Sequence, residues 1–306
     1  MKATMKAGDA GRDQNAFSLG PVLEPWRIRV RRAFRHLPDP LAEFLLFGLK
    51  MAWSCLFGAA MLALLILTHG LWPADAPLAR YDLLLILAVL IQIGMIWSGL
   101  ESLEELKVIA LYHVVGTVME VFKTRVGSWT YPEPSLFHIG GVPMFTGFMY
   151  GTVGSFIARS IRVCHMRFER YPPLWATIGL AALVHANFFS HHVLPDARIP
   201  LLLAALALYG RTTVWFRVDR VYRRMPFALS ACLTAGFLWL AENVGVLTRT
   251  WVYPHAGPAV GLVFAPVSKF GAWLLLLIIS FVCVSLVIRP APPETSPPAS
   301  GPLPDG

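Results

Sequence analysis

Residues 274–288 run Leu-Leu-Leu-Leu-Ile-Ile-Ser-Phe-Val-Cys-Val-Ser-Leu-Val-Ile without a charge. Hydrocarbon cores are crossed by apolar helices of about 20 residues, so this stretch with its flanks predicts a membrane span over 265–288. Leu41–Leu67 and Leu83–Ile96 have the same character. The whole chain agrees: of 306 residues, 56% are hydrophobic and only 14% charged. Soluble domains carry about 25% charged residues, which excludes an ordinary soluble globule. The predicted fold is an all-α polytopic membrane protein with eight transmembrane helices, over 41–68, 81–99, 103–124, 142–163, 173–192, 197–215, 226–246 and 265–288. The third segment carries Glu104, Glu105, Lys107, His113 and Glu120, so its polar stripe must turn into the bundle. Ser102 and Glu105 predict a capping box at its start.

Charge distribution orients these spans. With a cytoplasmic N-terminus, 19 Lys and Arg fall in inner segments against 5 in outer ones, while Lys50 and Lys269 lie within spans. Positive residues accumulate on the cytoplasmic side, so both termini are expected there. Residues 1–40 form a basic cytoplasmic segment without a signal-peptide core. Trp26, Val30, Phe34 and Leu37 make one helical stripe amid Arg27, Arg29, Arg31, Arg32 and Arg35, the pattern of an interfacial helix on anionic lipid headgroups rather than a nucleic-acid arm. The membrane domain spans 41–289, and the Pro-rich stretch 290–306 is expected to be a disordered tail.

A spacing recurs within the domain. Glu120, Trp129, Tyr131 and Pro132 are each followed 122 positions later by Glu242, Trp251, Tyr253 and Pro254. Both sets join a span ending in Glu to the next span, four spans apart, which predicts two parallel four-helix repeats over about 41–165 and 172–289.

Several further runs are characteristic in combination: Ser98-Gly99-Leu100-Glu101, Glu105-Leu106-Lys107-Val108-Ile109, Gly127-Ser128-Trp129-Thr130-Tyr131-Pro132-Glu133, Gly147-Phe148-Met149-Tyr150, Asn187-Phe188-Phe189-Ser190-His191-His192 and Ala241-Glu242-Asn243. Through them the chain, from about Leu41 to Ile288, resembles the bacterial membrane-protein family known as domain of unknown function 817. The resemblance implies a multi-pass protein of the bacterial inner membrane and implies no chemistry. A short segment, Trp-x-Tyr-Pro followed by Gly141-Val142-Pro143, also looks loosely like membrane enzymes of carotenoid biosynthesis.

Ionisable groups inside spans are functional candidates because hydrocarbon makes them costly. Glu120 and Glu242 fit two roles: proton-transferring carboxylates, or ion-pair anchors for Lys123 and Lys269. Trp129, Tyr131, Trp251 and Tyr253 fit an interfacial aromatic belt or the roof of a ligand pocket. His185, Asn187, His191 and His192 gather near the outer end of the fifth span, and their spacing cannot aim all four at one ion. His113 fits an interhelical hydrogen bond or a polar path with Glu105 and Glu120. Gly147, Gly151 and Gly154 are spaced for close helix packing. Cys55, Cys164, Cys232 and Cys283 show no Cys-x-x-Cys and read as small apolar residues that predict no disulfide framework. Phosphate-loop, dinucleotide and Gly-x-Ser-x-Gly signatures are absent, and no cofactor is implied. The leading expectation is an outer-leaflet pocket, lined by Glu120, Glu242, His185 and His192, for a hydrophobic or amphipathic small molecule. It would serve a binder or a proton-transfer enzyme; a proton-coupled transporter and a non-catalytic scaffold are the alternatives.

Overall fold

The computed structural model describes residues 29, 33–34, 36–73, 75–218, 222–253 and 270–293. Most of the basic N-terminal segment, Lys269 and the tail from 294 lie outside the described residues. Helices dominate: α1 (Asp39–Ser54), α2 (Leu56–Leu71), α3 (Arg80–Trp97), α4 (Leu103–Arg125), α5 (Phe145–Val163), α6 (Leu174–Ser190), α7 (Arg198–Tyr209), α8 (Phe227–Leu247) and α9 (Phe270–Val287). Among the described residues five short strands join them: β1 (His138–Ile139), β2 (Val142–Pro143), β3 (Arg167–Glu169), β4 (Thr213–Arg217) and β5 (Tyr222–Pro226). All eight segments expected to be spans contain helix. Among the described residues, α3, α8 and α9 are long and apolar enough to cross a membrane, and α1 with α2 makes a fourth if that bent pair is one crossing.

The first expected span is broken. α1 and α2 meet at Cys55 with a bend of 66°. Helices kink where a side chain enters the backbone ladder, and here Arg159 Nη1 donates to the Trp53 carbonyl at 3.4 Å. The sixth is shorter than expected: α7 stops at Tyr209, and the chain continues into β4, which pairs antiparallel with β3 and β5. At 12 residues α7 is about 18 Å long, well under a bilayer core.

α4 is the organising helix. Ser102 caps it as expected, its hydroxyl accepting from Glu105 N (3.2 Å) while the Glu105 carboxylate accepts from Ser102 N (2.8 Å). It packs closely on α5 because the facing positions are glycine. A Cβ on Gly147 would lie 2.2 Å from His113 Nδ1, one on Gly151 2.9 Å from Ile109, and one on Gly154 2.7 Å from Val108. The largest core cluster gathers Val108 and Tyr112 of α4 with Ala158 of α5, Ala235 of α8 and Val284 of α9. The α4–α5 pair is thereby joined to the second half of the chain.

Candidate functional site: two aromatic-gripped carboxylates

α4 and α8 end in the same way. Past the cap residues Val126 and Thr248, Gly127 (φ 74°) and Arg249 (φ 51°) take the left-handed conformation. In the first helix Ser128 N donates to Lys123 O (2.9 Å) and Gly127 N to Thr124 O (3.1 Å). In the second, Thr250 N donates to Gly245 O (2.9 Å) and Arg249 N to Val246 O (3.0 Å). These are Schellman motifs, which satisfy the terminal carbonyls and turn the chain sharply. Each turn sends the following Trp and Tyr back over the last turns of its own helix.

There they meet the carboxylates. Trp129 Nε1 (2.7 Å) and Tyr131 OH (2.6 Å) both donate to Glu120 Oε2. Trp251 Nε1 (2.9 Å) and Tyr253 OH (2.5 Å) both donate to Glu242 Oε1. Both Glu residues are buried, 4% and 9% exposed. Glu120 receives a third donor, Tyr150 OH, on Oε1 at 2.8 Å. Gly116 makes room for that ring, since a Cβ there would sit 2.5 Å from it. Gly245 likewise accommodates Trp251, whose ring would lie 2.0 Å from an added Cβ. Burial, and then the neighbouring Glu120 carboxylate, raises the Tyr131 phenol far above its ordinary pKa, so it stays a proton donor. Burial and Glu242 do the same for Tyr253.

The two loops touch. Thr130 and Val252 exchange backbone hydrogen bonds, each 2.9 Å, and the Trp129 and Tyr253 rings meet edge to face at 6.3 Å. α3 secures both from its N-terminus. Arg80 pairs with Glu133 (3.0 Å) and donates to Thr248 O (3.3 Å), and Tyr81 OH donates to Thr250 O (2.8 Å). Asp82 accepts from Ser135 Oγ, Leu136 N and Phe137 N at 2.8–3.0 Å.

Lys123 does not pair with Glu120; its ammonium meets His191 Nε2 (3.5 Å) and His192 Nε2 (3.1 Å) and sits 4.0 Å over the Phe188 ring. His191 Nδ1 bonds the Asn187 carbonyl (3.0 Å), so its Nε2 carries the lone pair toward Lys123. Asn187 holds the turn after α6, its Oδ1 accepting from Ala197 N (2.8 Å). His185 bonds the Ala181 carbonyl of its own helix (3.2 Å). Neither His185 nor His192 hydrogen-bonds either carboxylate. His113 packs its ring on Phe148 (4.9 Å), and its buried Nδ1 has no hydrogen-bond partner among the described residues. Lys269 lies outside the described residues. Among those described, no three His, Cys, Asp or Glu side chains come together as a metal shell.

A second polar cluster lies at the opposite ends of α4 and α5. Arg159, fully buried, pairs with Glu101 (2.7 Å), which also accepts from Ser155 Oγ (2.6 Å) and Gln92 Nε2. Arg162 pairs with Glu105 (2.9 Å). In the sequence Arg159, Arg162 and Arg80 count only toward the charge balance that orients the spans, which hid these roles. The available signal was Arg159 itself, inside a segment expected to be a span.

Residues 43–281 match the family described as protein of unknown function, DUF817. The chain belongs to the DUF817 family. All the Glu, Trp, Tyr and Arg residues of both clusters lie within the matched DUF817 region. The chain is also similar to the uncharacterized protein YoaT of Bacillus subtilis (strain 168), at 40% identity over 239 residues, 78% of this chain and 89% of that protein. No solved structure matches this DUF817 protein.

Proposed function

We propose that the chain is a multi-pass protein of the bacterial inner membrane, with both termini cytoplasmic. Eight membrane elements form two parallel repeats, with α1–α2 together as the first. The paired outer loops enclose a site where Glu120 and Glu242 bind a hydrophobic or amphipathic small molecule and exchange a proton with it. One observation carries the reading: each carboxylate is gripped by the Trp nine and the Tyr eleven positions after it, in two sets 122 residues apart. The loops pair at Thr130 and Val252, which are themselves 122 apart, and this supports a pseudo-two-fold relation between the halves. Aromatic walls with few polar groups suit a lipophilic ligand, and a buried carboxylate held by neutral donors suits proton exchange. On the cytoplasmic side, the basic segment Arg27–Arg35 meets anionic headgroups.

The test is to purify wild type, Glu120→Gln and Glu242→Gln in mild detergent and compare solvent-extracted small molecules by mass spectrometry. A lipophilic compound retained by wild type and depleted in both folded variants supports the site. Equal retention in all three overturns it. A proton-coupled transporter is the second reading, favoured by the Glu101–Arg159 and Glu105–Arg162 cluster at the opposite end and by the broken α1–α2 pair.

A further inference from the structure

The small β-sheet has two unlike faces. Register puts Trp215 of β4 between Arg167 of β3 and Arg224 of β5, and Arg217 opposite Tyr222, so these five side chains share one face. The other face is the inner one. Phe168, Val214 and Phe216 are buried there, Phe216 meets Phe47 of α1 at 5.6 Å, and Arg223 pairs with Glu43 of α1. On the outer face, Trp215 and Tyr222 belong to none of the hydrophobic clusters among the described residues. They carry arginines instead: Arg224 Cζ lies 5.7 Å over Trp215 and Arg217 Cζ 5.6 Å over Tyr222. Stacking orients each guanidinium and leaves its N–H edge for an anion. One carboxylate shares this face, Glu169, which accepts from Trp215 Nε1 at 2.9 Å.

β3 is an outer strand of the sheet, and the chain leaving α9 meets its edge. Phe168 N donates to Ala291 O at 2.8 Å, four residues beyond the end of α9. Pro290, Pro292 and Pro293 flank that contact, and residues without an N–H cannot extend a ladder. The chain is thus delivered to the sheet without being able to add a strand to it. The next stretch, 294–306, lies outside the described residues, and its sequence suits the outer face. It holds Pro297, Pro298, Pro302 and Pro304, with Glu294 and Asp305 and no Lys or Arg. Proline-rich chain is extended before it binds, and the surfaces that bind it are lined with aromatic rings.

We propose that residues 294–306 dock on the outer face of the sheet, with prolines on the Trp215 and Tyr222 rings and the Glu294 and Asp305 carboxylates on Arg217 and Arg224. The reach fits. At about 3.1 Å per residue, Glu294 lies up to about 9 Å beyond Ala291, and two strand spacings put β4 about 10 Å from that point. The residues after it are long enough to cross β5. A tethered segment is held at high effective concentration, so weak contacts suffice. The basic segment Arg27–Arg35 has the wrong sign for this face. The docked segment covers the arginines and so screens them from other anions.

The test is arginine footprinting of the full chain in detergent, by phenylglyoxal modification and peptide mass spectrometry. Wild type is compared with the double variant Glu294→Gln, Asp305→Asn and with a chain cut after Pro293, which keeps the Ala291 contact; all three must share one size-exclusion profile. Arg217 and Arg224 should react about two- to five-fold faster in both altered chains, the range over which an exposed ion pair shifts an equilibrium. Arg125, exposed at the far end of α4, should not change. Equal rates in all three chains overturn the docking. A rise on cutting that the charge variant does not share overturns the pairing of carboxylates with arginines. Equal rates that fall as protein concentration rises mark a second copy on this face, and equal rates that fall only with added phosphatidylglycerol mark a lipid surface. Either result overturns the assignment to 294–306.

Discussion

Thr130 and Val252 form an isolated antiparallel pair, Thr130 N to Val252 O and Val252 N to Thr130 O, each at 2.9 Å. Thr130 and Val252 are 122 positions apart, as are Glu120 and Glu242, Trp129 and Trp251, and Tyr131 and Tyr253. The pairing holds both aromatic loops over their carboxylates at once. Disturbing one loop is therefore expected to disturb the other half-site.

Gly245→Ala tests that coupling. The new methyl would meet the Trp251 ring 2.0 Å away, so the indole must leave its place and release Glu242. Overpacking of this kind costs about 1–3 kcal/mol. Tryptophan fluorescence should change, and ligand retention should fall as in Glu242→Gln.

Arg249→Gly is expected to act in the opposite direction. Arg249 holds φ 51°, where Gly127 serves in the other helix, and a side chain there is strained. Relieving that strain, offset by the entropy glycine loses on folding, should stabilise the protein by up to about 1 kcal/mol. A thermal-melting series in detergent reads the change.

Arg159→Ala should be among the most damaging single changes. It leaves Glu101 buried without its cation, a defect of about 3–5 kcal/mol. Adding Glu101→Gln should restore part of the loss, and the double-mutant cycle on folded yield and melting measures the coupling.

Acid should loosen the turn between α6 and α7. Partial burial raises the Asp196 carboxyl, but the Arg198 backbone N–H and side chain, with Asn187, outweigh it and hold its pKa below the usual value. A depressed pKa contributes stability that is complete above the unfolded value, about 3.9, and is lost as pH falls through the folded one. Hydrogen exchange at Ala197 N should therefore accelerate below about pH 4 in wild type, and Asp196→Asn should lack that pH dependence.

The helical segments were legible because apolar runs and the Ser102–Glu105 box are local signals. So was the packing role of Gly147, Gly151 and Gly154, since small residues one turn apart have few other uses in a span. The Glu, Trp and Tyr of each half-site were marked by their common spacing. That the rings bind the Glu directly was not, because it depends on left-handed turns at Gly127 and Arg249, and Arg249 gives no glycine signal. The break at Cys55 was hidden for a different reason. Arg159, 104 residues later, bonds the Trp53 carbonyl at the break, and a hydropathy pattern records no such contact. Arg80 and Asp82 were obscured in the same way, since their partners lie in the loops after α4 and α8.

Disulfide trapping of the two loops tests the central claim most directly. Paired residues of this kind have Cα atoms about 5.5 Å apart, within disulfide reach. In native membranes under mild oxidation, Thr130→Cys with Val252→Cys should form an intramolecular disulfide in folded protein, and Thr130→Cys alone should not. A folded double variant that stays reduced would contradict the pairing of the two half-sites and the shared site built on it.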